Sequence, residues 1–309
     1  MNQILQGIIL ALTGSFLWGL NGNLAITLFD NFGHTPGSLI SFRLFFTGLI
    51  YFILNFFRKG TKSLAILQVK SNLAYIFLYA LAGVMLAQFA NASSTHYSNA
   101  PTASLLIYMG IFLVTGYLAL KAQRWPKPTV FLALFMAILG LAVLITHGDF
   151  SSLSISPLAL FWGLVSALGY TIANLAPLYL LARYPSTEIL APSMTLSGLS
   201  LALITRPDLS LIVWTPPGVA LLVFSIIGGT IIPYFLLLEA QKRMGPQLTS
   251  AFSLTEAIFS TIIAVLLLNT PFYFLDYVGI GLILLALLIL ILSQEDKNQA
   301  YIKAPEEDL

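Results

Sequence analysis

The stretch FYFLDYVGIGLILLALLILIL, residues Phe272–Leu292, holds 21 residues and a single charge, Asp276. About 20 predominantly apolar residues in a helix cross the hydrocarbon core of a bilayer. Strands of a membrane barrel would instead alternate over segments of about ten residues, and this run does not alternate. It reads as one transmembrane helix. Cutting the rest of the chain at charges, proline clusters and polar runs gives nine more: Ile4–Phe29, Gly37–Phe57, Leu73–Ala92, Thr102–Leu120, Thr129–Thr146, Pro157–Ala182, Thr187–Ile204, Gly218–Ala240 and Gln247–Leu268. The expected fold class is all-α and integral to the membrane, with ten transmembrane helices.

Composition agrees with this reading. Of 309 residues, 58% are hydrophobic and 8% charged, and the mean hydropathy is +0.90. Soluble domains carry about a quarter charged residues, so a soluble enzyme, a disordered chain and a secreted scaffold are excluded. The absence of cysteine excludes disulfides, thiolate nucleophiles and cysteine zinc sites. A net charge of +2 is too small to suggest a nucleic-acid partner. The first apolar run is too long for a signal-peptide core and lacks a basic leader, so it is expected to remain as the first transmembrane helix.

Lys and Arg concentrate on the cytoplasmic side of membrane proteins. This bias tests the count of ten, because one missed helix would scramble it. With the N-terminus inside, the inner segments hold Arg58, Lys59, Lys62, Lys70, Lys121, Arg124, Lys127, Arg183, Lys242, Arg243, Lys297 and Lys303. The outer loops hold only Arg206, and Arg43 lies within the second span, which accounts for all 14 cations. Both termini are expected in the cytoplasm, and the chain in the cytoplasmic membrane.

Ten helices divide into two fives at the short loop around His147–Ser156. The expected domains are residues 1–150 and 151–293, each a five-helix unit, followed by a polar tail over 294–309 with Glu295, Asp296, Glu306, Glu307 and Asp308. Such a tail reads as a solvated chain end. The third and fourth spans align with the eighth and ninth at an offset of 146, placing Gly83 on Gly229, Phe89 on Phe235 and Ser104 on Ser250. Each pair turns through similar chemistry, Ser98-Asn99-Ala100-Pro101 in one half and Met244-Gly245-Pro246 in the other. Asn or Gly can end a helix in the left-handed conformation, and Pro can start the next. The second and seventh spans align at an offset of 150, with Gly48 on Gly198, and Trp18 falls near Tyr170 in the looser match of first to sixth. Helices rich in Leu, Ala and Gly also align by composition alone, so the paired turns and the charge-checked count carry most of the weight.

A five-helix unit crosses an odd number of times, so its copy inserts upside down. The halves are then related by a pseudo-two-fold axis in the membrane plane. Many secondary transporters have this repeat, with the substrate near mid-membrane where the halves meet.

Three motifs give the resemblance a name. Ser15-Phe16-Leu17-Trp18-Gly19-Leu20-Asn21 resembles the "fWG" signature of EamA-type members of the drug/metabolite transporter superfamily. Ser41-Phe42-Arg43-Leu44 is similar to the family's "fR" motif, and Ser250-Ala251-Phe252-Ser253-Leu254-Thr255-Glu256-Ala257 to its "sllsllEP" motif. The resemblance covers residues 4–292. It implies two five-helix repeats, both ends inside, and small-metabolite substrates such as amino acids, amines or carboxylates, frequently exported. Ala257 stands where the motif has a proline, as does Ile111 in the fourth span, so the prolines that would kink these helices are missing. Small multidrug members of the superfamily use a Glu in the first span. This chain has none there, which argues against a polyspecific cation exporter.

Ionisable residues at membrane depth are expensive and usually face the bundle interior. Arg43 and Glu256 qualify; Glu239 and Asp276 lie close enough to helix ends to reach water. Thr249, Ser253, Glu256 and Ser260 follow helical spacing and form one polar face. Two readings stand for Glu256. Either it lines a substrate cavity, contacting a cationic group or carrying a coupling proton, or it is neutral and hydrogen-bonded to a neighbouring helix as structural glue. Arg43 keeps its charge and needs an acceptor: Glu256, helix C-terminal carbonyls or an anionic substrate. It can also snorkel outward along its stem.

Further polar and small residues share helix faces. Gln88, Asn91 and Thr95 share a face of the third span. In the aligned part of the eighth, Gly228, Gly229, Pro233 and Tyr234 can loosen the helix and bare carbonyls towards a cavity. Gly14, Trp18, Asn21 and Ala25 share a face of the first span, and Ser166, Tyr170 and Asn174 one of the sixth. With Tyr108 they make aromatic walls and scattered amides, as small-molecule pockets do, although each aromatic also has a plain packing reading. The expected substrate-contacting set is Trp18, Asn21, Gln88, Asn91, Tyr108, Tyr170, Asn174, Tyr234, Ser253 and Glu256, with Arg43 and Glu256 as coupling or ion-pair residues.

His34, His96 and His147 fall dispersed in outer loops, so no metal site is expected. No G-x-x-x-x-G-K-[ST] run suggests ATP hydrolysis, no Ser/His/Asp grouping lies at a shared depth, and no cofactor is expected. The reading is a secondary transporter moving a small metabolite by alternating access, its partners the lipid bilayer, the substrate and, through Glu256, protons. A membrane-embedded enzyme would need a nucleophile, base or metal ligands at one depth. A receptor or scaffold would need a soluble module longer than the loop near Arg58–Asn72.

Overall fold

The computed structural model describes residues 3–98, 100–153, 156–268 and 271–293. Asn99 of the first tight turn and the expected tail at 294–309 lie outside them. Every regular element among the described residues is helical. The crossings are α1 (Gln3–Phe32), α2 (Pro36–Lys59), α3 (Lys70–Tyr97), α4 (Thr102–Ala122), α5 (Pro128–Thr146), α6 (Pro157–Leu181) and α7 (Ser186–Thr205). α8 and α9 share the run Pro216–Phe252, which turns at Gly245, where φ is 78°. α9 resumes as Thr255–Leu268, and α10 is Phe274–Ser293. Nine of these runs are long and apolar enough to cross a membrane, and Thr255–Leu266 supplies a shorter tenth.

Polar caps set where three of the helices begin. Thr35, Ser156 and Thr215 each precede a proline, and each hydroxyl accepts the backbone N–H three residues on, at 3.1, 3.1 and 3.4 Å. Proline suits the first turn because an N–H there would find no helical partner. α2 and α8 therefore start a residue or two before their apolar runs do. α3 starts at Lys70 and runs on to Tyr97, so His96 lies in its last turn rather than in a loop.

The helix contacts are symmetric. α2 packs along α7 and α5 along α10; α1 packs on α8 and α9, and α6 on α3 and α4. Exchanging each helix with the one five places away leaves this set unchanged, as two inverted repeats require. Individual residues repeat the relation. A Cβ on Gly48 would overlap Thr195, and one on Gly198 would overlap Phe45. The offset of 150 carries Gly48 to Gly198 and Phe45 to Thr195, so these are one contact seen from both sides. At the α5–α10 crossing, a Cβ on Gly140 would stand 2.7 Å from the Gly279 carbonyl oxygen, and one on Gly279 2.8 Å from that of Gly140. Small residues let membrane helices approach backbone to backbone.

Departures from regular helix are also paired. α3 widens into π-helical turns over Leu78–Met85 and α8 over Ile227–Ile231; the offset of 146 lays residues 81–85 on 227–231. α4 is interrupted at Met109, and α9 at Ser253 and Leu254, neighbouring positions in the same alignment. The missing prolines at Ile111 and Ala257 thus do not keep these helices straight. The interruption also divides the expected face of Thr249, Ser253, Glu256 and Ser260 between two helical segments. Asp276 requires a further correction: it does not reach water but is fully buried. One carboxylate oxygen lies 2.7 Å from His147 Nδ1, and the other accepts the Tyr273 N–H at 2.8 Å, capping its own helix.

Three apolar cores result among the described residues. One gathers residues of α1, α4, α5, α8, α9 and α10, with Trp18, Tyr108 and Tyr170 among its members and margin. A second gathers residues of α2, α3, α6 and α7 with Ile66 and Leu238, with Tyr234 at its margin, and a small third gathers Leu28, Leu39, Leu222 and Ile226.

Candidate functional site

Gln88 Nε2 donates to the Tyr234 hydroxyl at 2.8 Å. The two residues are equivalents in the two repeats, separated by the offset of 146, so this bond crosses the pseudo-two-fold axis. Trp18 meets the Tyr234 ring edge-on, with centroids 5.3 Å apart. Trp18, Gln88 and Tyr234 are all partly exposed, and together they give an aromatic wall with an amide and a phenol where α1, α3 and α8 converge.

Glu256 is positioned by the break in α9. Leu254 N–H bonds back to Ala251, Glu256 N–H to Ser253 and Ala257 N–H to Leu254, each one residue short of the α-helical partner. The carbonyls of Ser250 and Phe252 lose their usual donors, which inside a bilayer must be replaced. Tyr170 donates to Ser250 O at 3.0 Å; Thr255 and Ser15 donate to Phe252 O at 2.7 and 3.3 Å. Tyr108 sits 3.1 Å from Ser253 O and 2.8 Å from Glu256 Oε2. The rings of Tyr108 and Tyr170 meet edge-on at 5.7 Å. Hydroxyls from α1, α4 and α6 therefore hold the broken helix, and the half-buried Glu256 lies beside them with its carboxyl bonded to Tyr108. Thr171 of α6 likewise donates to Gly110 O at 3.2 Å, just past the α4 break.

Other expected contact residues sit between helices. Asn21 is buried and accepts from Ser225 Oγ at 2.7 Å, beside Gly229. Asn174 donates to Tyr170 O at 2.9 Å and accepts from Gln241 at 3.0 Å. Ser253 Oγ donates to Thr249 O at 3.1 Å. Asn91 Oδ1 is buried without a hydrogen-bond partner.

Arg43 and Glu256 are not paired. Pro233 has no N–H, so the Gly229 carbonyl, four residues earlier, lacks its ordinary helical donor. Arg43 Nη2 supplies one at 3.0 Å, and Nε donates to Thr230 Oγ1 at 2.9 Å. Tyr51 adds a bond to Ile231 O at 2.6 Å. The acceptor is thus the loosened middle of α8 rather than a helix end. Thr230 and Tyr51 escaped sequence reading, although the orphan carbonyl that Pro233 creates was a usable signal. Gln241 escaped it as well, with no comparable signal. Arg43→Met leaves a buried carbonyl unsatisfied and is expected to cost about 1–3 kcal/mol, read as a lower melting temperature in detergent. Arg43→Lys keeps one donor and should lose less. Equal melting of wild type and Arg43→Met would show that this clamp does not hold α8.

Ten apolar helices in two inverted repeats, with polar aromatic side chains gathered where the halves meet, define a membrane transporter for a small molecule, not an enzyme. The model of the EamA-like transporter family matches residues 5–146 and 157–292, and the chain belongs to that family. Over 300 residues it is 26% identical to YicL of Salmonella typhimurium, named as an uncharacterized inner membrane transporter, with 97% of this chain and 100% of that protein aligned. A solved crystal structure at 17% identity shares the fold, with a TM-score of 0.76 over 93% of this chain and 96% of the other.

Proposed function

We propose that the protein is a secondary transporter that exports a small polar or amphipathic metabolite across the cytoplasmic membrane by alternating access. Amino acids, amines and carboxylates are its substrate classes, and both termini are cytoplasmic. The five-helix units at 1–150 and 151–293 are the moving halves. Trp18, Gln88, Asn91, Tyr234 and Glu256 contact the substrate. Tyr108 and Tyr170 hold the α9 break that presents Glu256, while Asn21, Asn174 and Ser253 fasten the surrounding helices.

One observation supports this reading above the others: Tyr108 lies within hydrogen-bond distance of both Glu256 and Ser253 O. A phenol has one hydrogen and two acceptor lone pairs. With Glu256 ionised, Tyr108 donates to the carboxylate. With Glu256 protonated, the acid donates to Tyr108, whose own hydrogen turns to Ser253 O. The carboxyl can therefore gain and lose a proton without leaving an unsatisfied group in the bundle, as a coupling residue must.

Counterflow in reconstituted vesicles tests the function. Vesicles preloaded with one unlabelled metabolite from a panel of amino acids, amines and carboxylates are diluted into the same labelled compound. Label is expected to accumulate for at least one class, and to fall when Trp18 or Tyr234 is replaced by alanine. No exchange across the panel would overturn the substrate assignment.

A further inference from the structure

We propose that a groove on the outer surface of the bundle, between the end of α2 and the segment that follows it, binds an anionic phospholipid. Gly60–Gln68 leaves α2 as a 3₁₀ helix. It is fastened to the bundle: Ser63 Oγ donates to Gly60 O at 2.8 Å, Ile66 is buried, and Asn72 Nδ2 donates to Ile66 O at 3.1 Å. The groove it forms with α2 measures about 420 Å³ and is lined by Phe52, Ile53, Phe56, Phe57, Ser63 and Leu64. Ile53, Phe56, Phe57 and Leu64 remain exposed within the bundle, a hydrocarbon slot that an acyl chain fits.

Acyl chains cover any apolar membrane surface, so the cations next in sequence to the lining residues make the distinction. Arg58 adjoins Phe57 in sequence and Lys62 adjoins Ser63, and both cations are exposed. Among the described residues, the acids at this end of the bundle, Glu188 and Glu239, are already engaged. Glu188 pairs with Lys59 at 2.7 Å, and Glu239 with Lys242 and Arg243 at 2.9 and 2.8 Å. A guanidinium fork matches phosphate oxygens bidentately, and basic side chains beside membrane helices attract anionic headgroups. A zwitterionic headgroup brings its own ammonium to the same two cations and gains less.

Native mass spectrometry of the full-length protein in detergent tests this, with phosphatidylglycerol and phosphatidylcholine of identical acyl chains. Wild type is expected to retain phosphatidylglycerol in preference. Each cation removed in Arg58→Gln and Lys62→Gln should weaken that binding about fivefold, bringing the double variant to parity between the lipids. Leu64→Trp fills the slot, leaves the cations in place and should reduce both lipids alike. All three positions are exposed, and unchanged melting temperatures will show that the variants fold. Equal retention of the two lipids by wild type, or a double variant that retains phosphatidylglycerol as wild type does, overturns the proposal. So does displacement of the lipid by glycerol phosphate alone, because the groove would then contribute nothing.

Discussion

Glu256→Gln is expected to reduce accumulation driven by a pH gradient to the leak rate, while counterflow without a gradient continues near the wild-type rate. Glutamine keeps the shape of the side chain and an oxygen that can accept from Tyr108, so the α9 break retains its hydroxyl contacts. It lacks only the capacity to bind and release a proton. Vesicles with an imposed pH gradient and vesicles with none, assayed with the same labelled substrate, separate the two activities. Wild-type accumulation by the Gln variant would falsify proton coupling through this residue. Loss of both activities to the same degree would instead make the carboxylate a substrate ligand or a strut. Tyr108→Phe is the companion variant. It keeps the ring against Tyr170 but removes the hydroxyl, and is expected to slow driven transport more than counterflow at a stability cost of about 1 kcal/mol.

The second large effect concerns assembly of the halves. Gly198→Ala places a methyl group against the Phe45 backbone, and Gly48→Ala places one against the Thr195 backbone and hydroxyl. A main chain cannot rotate aside as a long side chain can, so α2 and α7 must separate. Overpacking a tight contact costs about 1–3 kcal/mol, and each variant is expected at the upper end of that range, seen as a marked drop in melting temperature in detergent. Both substitutions widen the same crossing, so the double variant should lose less than the two single losses added together, as contacting sites do. Gly22→Ala is the control: nothing stands within 4 Å of a Cβ there, and no loss is expected. Additive losses at 48 and 198 would mean that the two contacts yield independently.

The crossings, the repeat and the family were legible in the sequence because each rests on a local or periodic signal. Apolar length marks spans, and aligned Gly48 and Gly198 mark a shared crossing whose reciprocity the coordinates display. Glu256 was legible as an acid at membrane depth. The interruptions in α4 and α9 were not, because proline was the signal sought and neither helix has one where a kink was expected. What holds the α9 break is supplied by hydroxyls from Tyr108, Tyr170 and Ser15, far away in the chain. Asp276 was misjudged for a similar reason. Its place near a helix end suggested water, but His147, at the end of α5, closes over it. Local sequence reports what a segment prefers, whereas the acceptor of Arg43 and the surroundings of Asp276 are decided by which segments meet.

On a true two-fold axis a residue can only face its own copy. The join at Gln88 and Tyr234 sets unlike side chains face to face, which a single duplicated and fused polypeptide can do and a dimer of identical subunits cannot. A molecule lodged beside that join meets a carboxamide on one flank and a phenol on the other. On the proposed function, a substrate there has one preferred way round, so its head and its tail are told apart although the helices pair symmetrically.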